Sequence, residues 1–149
     1  MIKKILTAID GSKLADKALD FALDLAEKYA AEVQITTVLE EPAISLVAQG
    51  MFYAPTSTEK YLKEVNEFYK KVLSEALNKA KKFKPKLNVT TKLLRGRAAD
   101  KIVETAKQDD FDLVVIGGRG LGGIKEFFLG SVSDRVADEA PCPVLIVKD

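Results

Sequence analysis

The residues best suited to chemistry fall in one stretch, "GGRGLGGIKEFFLGSV" at 117–132, which holds six of the nine glycines in the chain. The apolar run "FDLVVI" leads directly into it. Gly117 and Gly120 carry no Cβ, so the backbone there can turn sharply and aim N–H groups at the oxygens of an anion. Gly130 and Ser131 open a helix, where unpaired N–H groups and the positive end of the dipole favour negative charge. The hydroxyls of Ser131 and Ser133 add donors, and Arg119 and Lys125 add positive charge. Phosphate is the ligand such a pattern suits. The competing reading is a tight loop in which Ser131 caps its helix and Asp134 completes a capping box.

A second group, Asp10-Gly11-Ser12, follows the first apolar run. A carboxylate there can accept hydrogen bonds from a ribose hydroxyl or an exocyclic amine. It can equally form a turn with Gly11 or cap the next helix. A Mg²⁺-dependent phosphoacceptor site would want more carboxylates at that edge, and Asp16 should already be helical.

Composition removes whole classes of chemistry. The chain has no histidine, which excludes Ser-His-Asp and Cys-His catalysis and every His-ligated metal site. No metal site made by direct protein ligation is expected. The single cysteine, Cys142, forms no intrachain disulfide and fits a reducing compartment, so a cytoplasmic location is expected. The opening "MIKKILTAIDGS" lacks the organisation of a signal peptide, and no apolar run reaches the roughly 18 residues of a membrane span. With 23 basic and 22 acidic side chains there is no general attraction to nucleic acid. The basic cluster "KAKKFKPK" at 79–86 reads as the end of a helix, where lysines complement the dipole.

The elements that must position these groups alternate along the chain. "IKKILTAI", "VQITTVL" at 33–39, "LNVTTKLL" at 87–94, "DLVVIG" at 112–117 and the closing "PVLIVKD" read as five strands. Helical spacing runs over 12–30 through Leu14, Ala18, Leu19, Ala22, Leu25, Ala26 and Tyr29. A longer helix opens on a Thr56/Glu59 capping pattern, with a stripe of Leu62, Val65, Tyr69, Val72, Leu73, Ala76, Leu77, Ala80 and Phe83. Ala98, Ala99, Ile102, Val103 and Ala106 mark a short helix, and a last one of about two or three turns starts at Ser131 and stops before Pro141 and Pro143. Strands alternating with helices imply right-handed crossovers. The expected fold is one α/β domain over 1–149, a doubly wound, Rossmann-like parallel sheet in the order 3-2-1-4-5 with helices on both faces. Ligands of such sheets bind beyond the carboxyl ends of the strands. Asp10 and the glycine stretch both belong at that edge.

Two familiar glycine motifs fail. Gly118, Gly120 and Gly123 spell G-x-G-x-x-G, but after a late strand and with too little chain following for a dinucleotide half. No glycine precedes a Lys-Ser or Lys-Thr pair, as the GxxxxGK[ST] phosphate loop requires. The spacing Gly117-x2-Gly120-x9-Gly130-Ser131 instead resembles the ATP-binding branch of the universal stress protein family, whose signature is G-x2-G-x9-G-[ST]. The resemblance extends through "ILTAIDGS", "LLRGRAAD" at 93–100, "DLVVIGGRGLGG", "LGSVSDRV" and "APCPVLIV".

That resemblance implies ATP or another adenine nucleotide as ligand, with Mg²⁺ or Mn²⁺ bridging the phosphates. It implies that Asp10 lies beside adenine and ribose and that the backbone of Ala8, Ile9 and Val38 lines the base pocket. Ile116 and Val132, flanking Gly117 and Ser131, complete the candidate nucleotide-binding positions. Gly96 and Arg97 would lie near the pocket, although a turn glycine and a solvated arginine account for them equally well. The segment 44–53, "ISLVAQGMFY", reads as a lid, a partner surface or a loop folded on the core. The family also implies a homodimer paired through the edge strand at 143–147. No base stands near the glycine loop, so a nucleotide-dependent regulatory module is expected, with an unknown protein partner. A slow ATPase or an AMP-forming enzyme of the related fold is the alternative.

Overall fold

The computed structural model of the protein describes residues 1–40, 57–119 and 129–149. Five strands, β1 (Lys4–Ala8), β2 (Glu32–Leu39), β3 (Val89–Arg95), β4 (Leu113–Gly117) and β5 (Val144–Val147), form one parallel sheet in the order β3-β2-β1-β4-β5. Between them run α1 (Lys13–Tyr29), α2 (Ser57–Phe83), α3 (Ala98–Gln108) and α4 (Ser131–Glu139). Thr56, the segment 44–53, Gly120 and Lys125 lie outside the described residues.

Alternation of side chains across the pleat splits the core in two. Ile5, Val33, Ile35, Leu113 and Val115 face α1 and α2, where Ala18, Leu19, Ala22 and Ala80 close over them. Leu6, Val38, Val114 and Ile116 face α3 and α4, against Ile102, Ala106 and Val136. Three of the five residues of β1 and four of the five of β4 are buried, because each strand has a neighbour on both sides and helices on both faces. β5 has a strand on one side only, and its Val144, Leu145 and Ile146 are half-buried.

Two residues of the expected helical stripes are exposed. Tyr29 is 39% exposed and Phe83 63% exposed, each in the last turn of its helix. The cause is length. The 27 residues of α2 extend about 40 Å, whereas the eight of β2 extend about 26 Å. A neighbouring lysine places its ammonium over each overhanging ring, Lys28 on Tyr29 and Lys82 on Phe83. Along the rest of α2, Lys79 bridges Asp16 and Asp20 of α1 at 2.8 and 2.6 Å, fixing one helix against the other. Burial of its ammonium lowers the Lys79 pKa, but the two carboxylates outweigh that and the net displacement is upward.

Candidate functional site

Helices α1, α3 and α4 all begin at the carboxyl edge of the sheet, and the chain opens each of them differently. At α1, Ser12 is the N-cap and its Oγ accepts the Ala15 N–H at 3.2 Å. Asp10 Oδ1 accepts the Ser12 N–H at 2.9 Å, closing an Asx turn over Gly11. Gly11 has φ +86°, a conformation that favours glycine, and it packs beside Val72 and Phe68 of α2. The Asp10 carboxylate therefore already serves the turn, as one sequence reading allowed. At α3, Arg97 occupies the N-cap without a side-chain bond, but Glu40 Oε1 accepts the Ala98 N–H at 3.3 Å. At α4, Gly130 is the N-cap, a residue with no side chain to offer, and among the described residues no side-chain oxygen takes a first-turn N–H.

Gly130, and not Ser131, is thus the capping residue, and Ser131 is an exposed residue of the first turn. The first intrahelical bond runs from the Asp134 N–H to the Gly130 carbonyl at 2.9 Å. Helix geometry leaves the N–H groups of Ser131, Val132 and Ser133 without intrahelical acceptors. Two bonds tie the start of α4 to the end of β4. The Gly130 N–H donates to the Gly118 carbonyl at 2.6 Å, and Ser133 Oγ donates to the same carbonyl at 2.8 Å. Ser133 Oγ also lies 3.0 Å from the Gly130 carbonyl, so its single proton is committed within the protein. The Gly118 N–H is spent as well, donating to the Val147 carbonyl at 2.8 Å.

The glycines differ in what they are for. A Cβ on Gly117 would come within 3.0–3.1 Å of the backbone of Leu14 and Ala15. Its small size lets β4 meet the first turn of α1, a packing demand that the sequence reading assigned to a phosphate-binding turn. Gly130 has ordinary extended angles, φ −64° and ψ 155°. A Cβ there would meet Gly118, Arg119 and Ser133 atoms at 3.4 Å and beyond, which is normal contact. Neither the backbone nor the described neighbours require glycine at 130.

Basic side chains gather at this edge. The carboxyl of Asp149 is held below the usual carboxylate range, first by its 2.7 Å bond to Lys17, with Arg119 and Lys13 also acting on it. Lys13 went unremarked in the sequence, although a cation at the positive end of a helix dipole is a legible anomaly. On the other flank Arg135 of α4 pairs with Asp100 of α3 at 2.6 Å, and Arg97 stands 3.7 Å from the same Asp100.

Comparison with known proteins bears on this arrangement. A family model described as "Universal stress protein family" matches residues 1–148. The chain belongs to the universal stress protein family. Universal stress protein YxiE of Bacillus subtilis is 37% identical over 151 aligned positions, covering 99% of this chain and 100% of the relative. The solved universal stress protein UspA from Lactobacillus plantarum superposes with a TM-score of 0.80 at 24% identity, covering 98% of this chain and 97% of its own. A universal stress protein solved in complex with cAMP is 26% identical with a TM-score of 0.67, covering 98% and 96% of the two chains.

In this universal stress protein, the described candidate positions share one edge of the sheet. Ala8 is in register with Ile116, and Ile9 donates its N–H to the Thr36 carbonyl at 2.8 Å, which carries Asp10 level with Val38. Val38, Ile116 and Val132 put their side chains into the α3/α4 core, which leaves their backbones as the groups able to meet a ligand. Among the described residues no three acidic or cysteine side chains converge as a metal site would require. No described helix is long and apolar enough to cross a membrane.

Proposed function

We propose that this universal stress protein is an adenine-nucleotide-binding regulatory module, with ATP as its ligand and Mg²⁺ or Mn²⁺ bridging the phosphates. The observation that carries the reading is the opening of α4. A helix of nine residues starts on a glycine, which brings no side chain to cap it and which neither conformation nor described packing demands, directly after a stretch rich in glycine in the sequence. Unsatisfied first-turn N–H groups at such a start suit phosphate oxygens. The related structure holding cAMP supports an adenine nucleotide as the ligand class. Arg119 and Lys13 supply positive charge at the phosphate end, while Asp10 and the Ala8, Ile9 and Val38 backbone stand at the base and ribose end. The backbones of Ile116, Gly117, Ser131 and Val132 form the floor between, and Gly120 joins the set by its place in the G-x2-G-x9-G-[ST] motif.

Nucleotide occupancy biases a surface read by a protein partner. Two copies pair through the edge of β5, whose half-buried Val144–Ile146 are left with one strand neighbour. Elution at the monomer position in gel filtration at micromolar protein would remove that pairing.

Heat extraction of purified protein followed by chromatography tests the central reading, together with titration of the ligand-stripped protein with labelled ATP, ADP, AMP and cAMP. Saturable ATP binding, with bound ATP recovered intact after prolonged incubation, is the expected result. Absence of saturable uptake at about millimolar nucleotide, a free energy of only about −4 kcal/mol, would overturn it. Multiple turnover to ADP, or to AMP and pyrophosphate, would move the protein to the enzymes.

A further inference from the structure

Away from the α4 start, the N-terminal half of α2 leans over the end of β2 and encloses an open cleft of about 500 Å³. It is lined by three aromatic residues, Tyr61, Phe68 and Tyr69, two acidic ones, Glu40 and Glu64, and the aliphatic Leu39 and Val65. Among the described residues lining it, none is basic. Tyr61 and Phe68 are 45% and 48% exposed, although both belong to the apolar-rich side of an amphipathic helix. The Phe68 ring stands edge-on to Tyr69 at 5.4 Å between centroids, so the two present a face and an edge at a right angle.

We propose that this cleft is a binding site for a small organic ammonium ion, held by the aromatic rings of Tyr61, Phe68 and Tyr69 and the negative charge of Glu40 and Glu64. The chemistry selects the ligand. Ring faces carry the negative part of an aromatic quadrupole and attract a cation that is large, soft and weakly hydrated. Carboxylates at the rim steer the same charge and repel phosphate, so the site differs in kind from the one at α4. The volume lies within the range of small-ligand pockets. The field inside has the required sign. The Tyr69 phenol is pushed up first by burial and then by Glu40 and Asp10, both of which disfavour a further negative charge there.

The nearby cations do not fill the site. Lys60 approaches Glu64 only to 4.0 Å, with both side chains mostly in solvent, a pairing worth little. Arg95 is turned to Asn66 Oδ1 at 3.4 Å. Glu40 keeps one oxygen on the Ala98 N–H, which fixes its carboxylate at the cleft mouth.

The test uses choline as the cation and 3,3-dimethylbutan-1-ol, the same shape with carbon in place of nitrogen, as the neutral control. Both are titrated into the full-length protein while the Tyr61, Phe68 and Tyr69 ring resonances are followed by NMR. The expected result is saturable shifts with choline at an apparent Kd of about 1–10 mM and none with the alcohol. Glu64→Gln and Phe68→Leu each weaken choline by about two- to fivefold. Both side chains are exposed, so far-UV circular dichroism should stay unchanged. Equal response to the alcohol, unmoved ring resonances, or full affinity in both variants would overturn the proposal. None of these readouts depends on whether the chain binds a nucleotide.

Discussion

Helices α1 and α4 start at the same edge of the same sheet, and their first turns are built on opposite principles. The start of α1 is closed on itself. Ser12 takes one first-turn amide, Asp10 takes the amide of Ser12, and Asp16 sits in the first turn against the dipole. The α3 start is closed too, by Glu40 reaching over from the end of β2. The α4 start has Gly130, which has no side chain, and no side-chain cap among the described residues. At the described starts of α1 and α3 a side-chain oxygen of the chain takes a first-turn amide, and the α4 start is where an outside anion is proposed to find donors. A parallel sheet brings every helix start to one edge, but the capping residue decides which of them is a site.

The most drastic way to break the contrast is to make α4 resemble α1. Gly130→Asp places a carboxylate where phosphate is proposed to sit. Like-charge repulsion should raise the ATP Kd by about a hundredfold or more. The same change supplies a preferred N-cap, so stability should hold or rise by about 0.3 kcal/mol. Isothermal titration and thermal melts on one preparation read both quantities. A variant that binds normally would place the nucleotide elsewhere, and one that unfolds would mean that Gly130 is structural after all.

Gly117 supplies the converse. A methyl there strikes the backbone of α1 at 3.0–3.1 Å, so Gly117→Ala should cost about 1–3 kcal/mol of stability through overpacking. In urea melts the midpoint should fall at unchanged slope. The folded fraction should keep its ATP affinity within a small factor, because the 117 position is a packing glycine. If affinity collapses while stability stays put, the assignment of roles to the two glycines is reversed.

The two positions also mark where the sequence could be read and where it could not. The five strands and their order follow from apolar runs such as "LVVI" and from the alternation of strand with helix, signals local to the chain. Gly117 and Gly130 stand identically in a motif, and only the proximity of α1 distinguishes them. Ser133 is similar. Its neighbours in sequence suggest a donor for the ligand, but its hydroxyl is bound by Gly118, a residue 15 positions away that folding brings to 2.8 Å. The overhanging Tyr29 and Phe83 went unseen for the same reason, since helical spacing carries no information about where the sheet stops. The Glu40 cap of α3 joins residues 58 apart and leaves no local pattern at all.

Ser12 and Ser133 allow the contrast to be measured more finely. Ser12→Ala deletes a cap and should cost about 1 kcal/mol without altering nucleotide affinity. Ser133→Ala removes the strut that ties the α4 start to the end of β4. It should cost a similar amount, about 0.5–1.5 kcal/mol, because Gly118 keeps its bond from the Gly130 N–H. Its effect on ATP should be a modest loss traceable to a looser first turn. If Ser133→Ala instead weakens ATP strongly at full stability, the hydroxyl leaves its strut to bind phosphate.

The smallest effect is expected at the opposite edge and serves as the control for all the others. Asp112, just before β4, accepts the N–H groups of Lys3 and Lys4 on one oxygen at 2.7 and 2.9 Å. Those two bonds hold its carboxyl below the ordinary aspartate range. Because the folded value is the depressed one, its contribution to stability is complete above the unfolded pKa, about 3.9, and is lost as pH falls through the lower folded value. Asp112→Asn should therefore lower the melting temperature slightly at neutral pH, with the difference from the parent shrinking towards zero on acidification. The ATP affinity of this variant should equal that of the parent at every pH where both are folded. A helix-start site at the carboxyl edge has no physical route to a carboxylate at the amino edge, so a shift in affinity would mean that the sheet transmits strain between its ends.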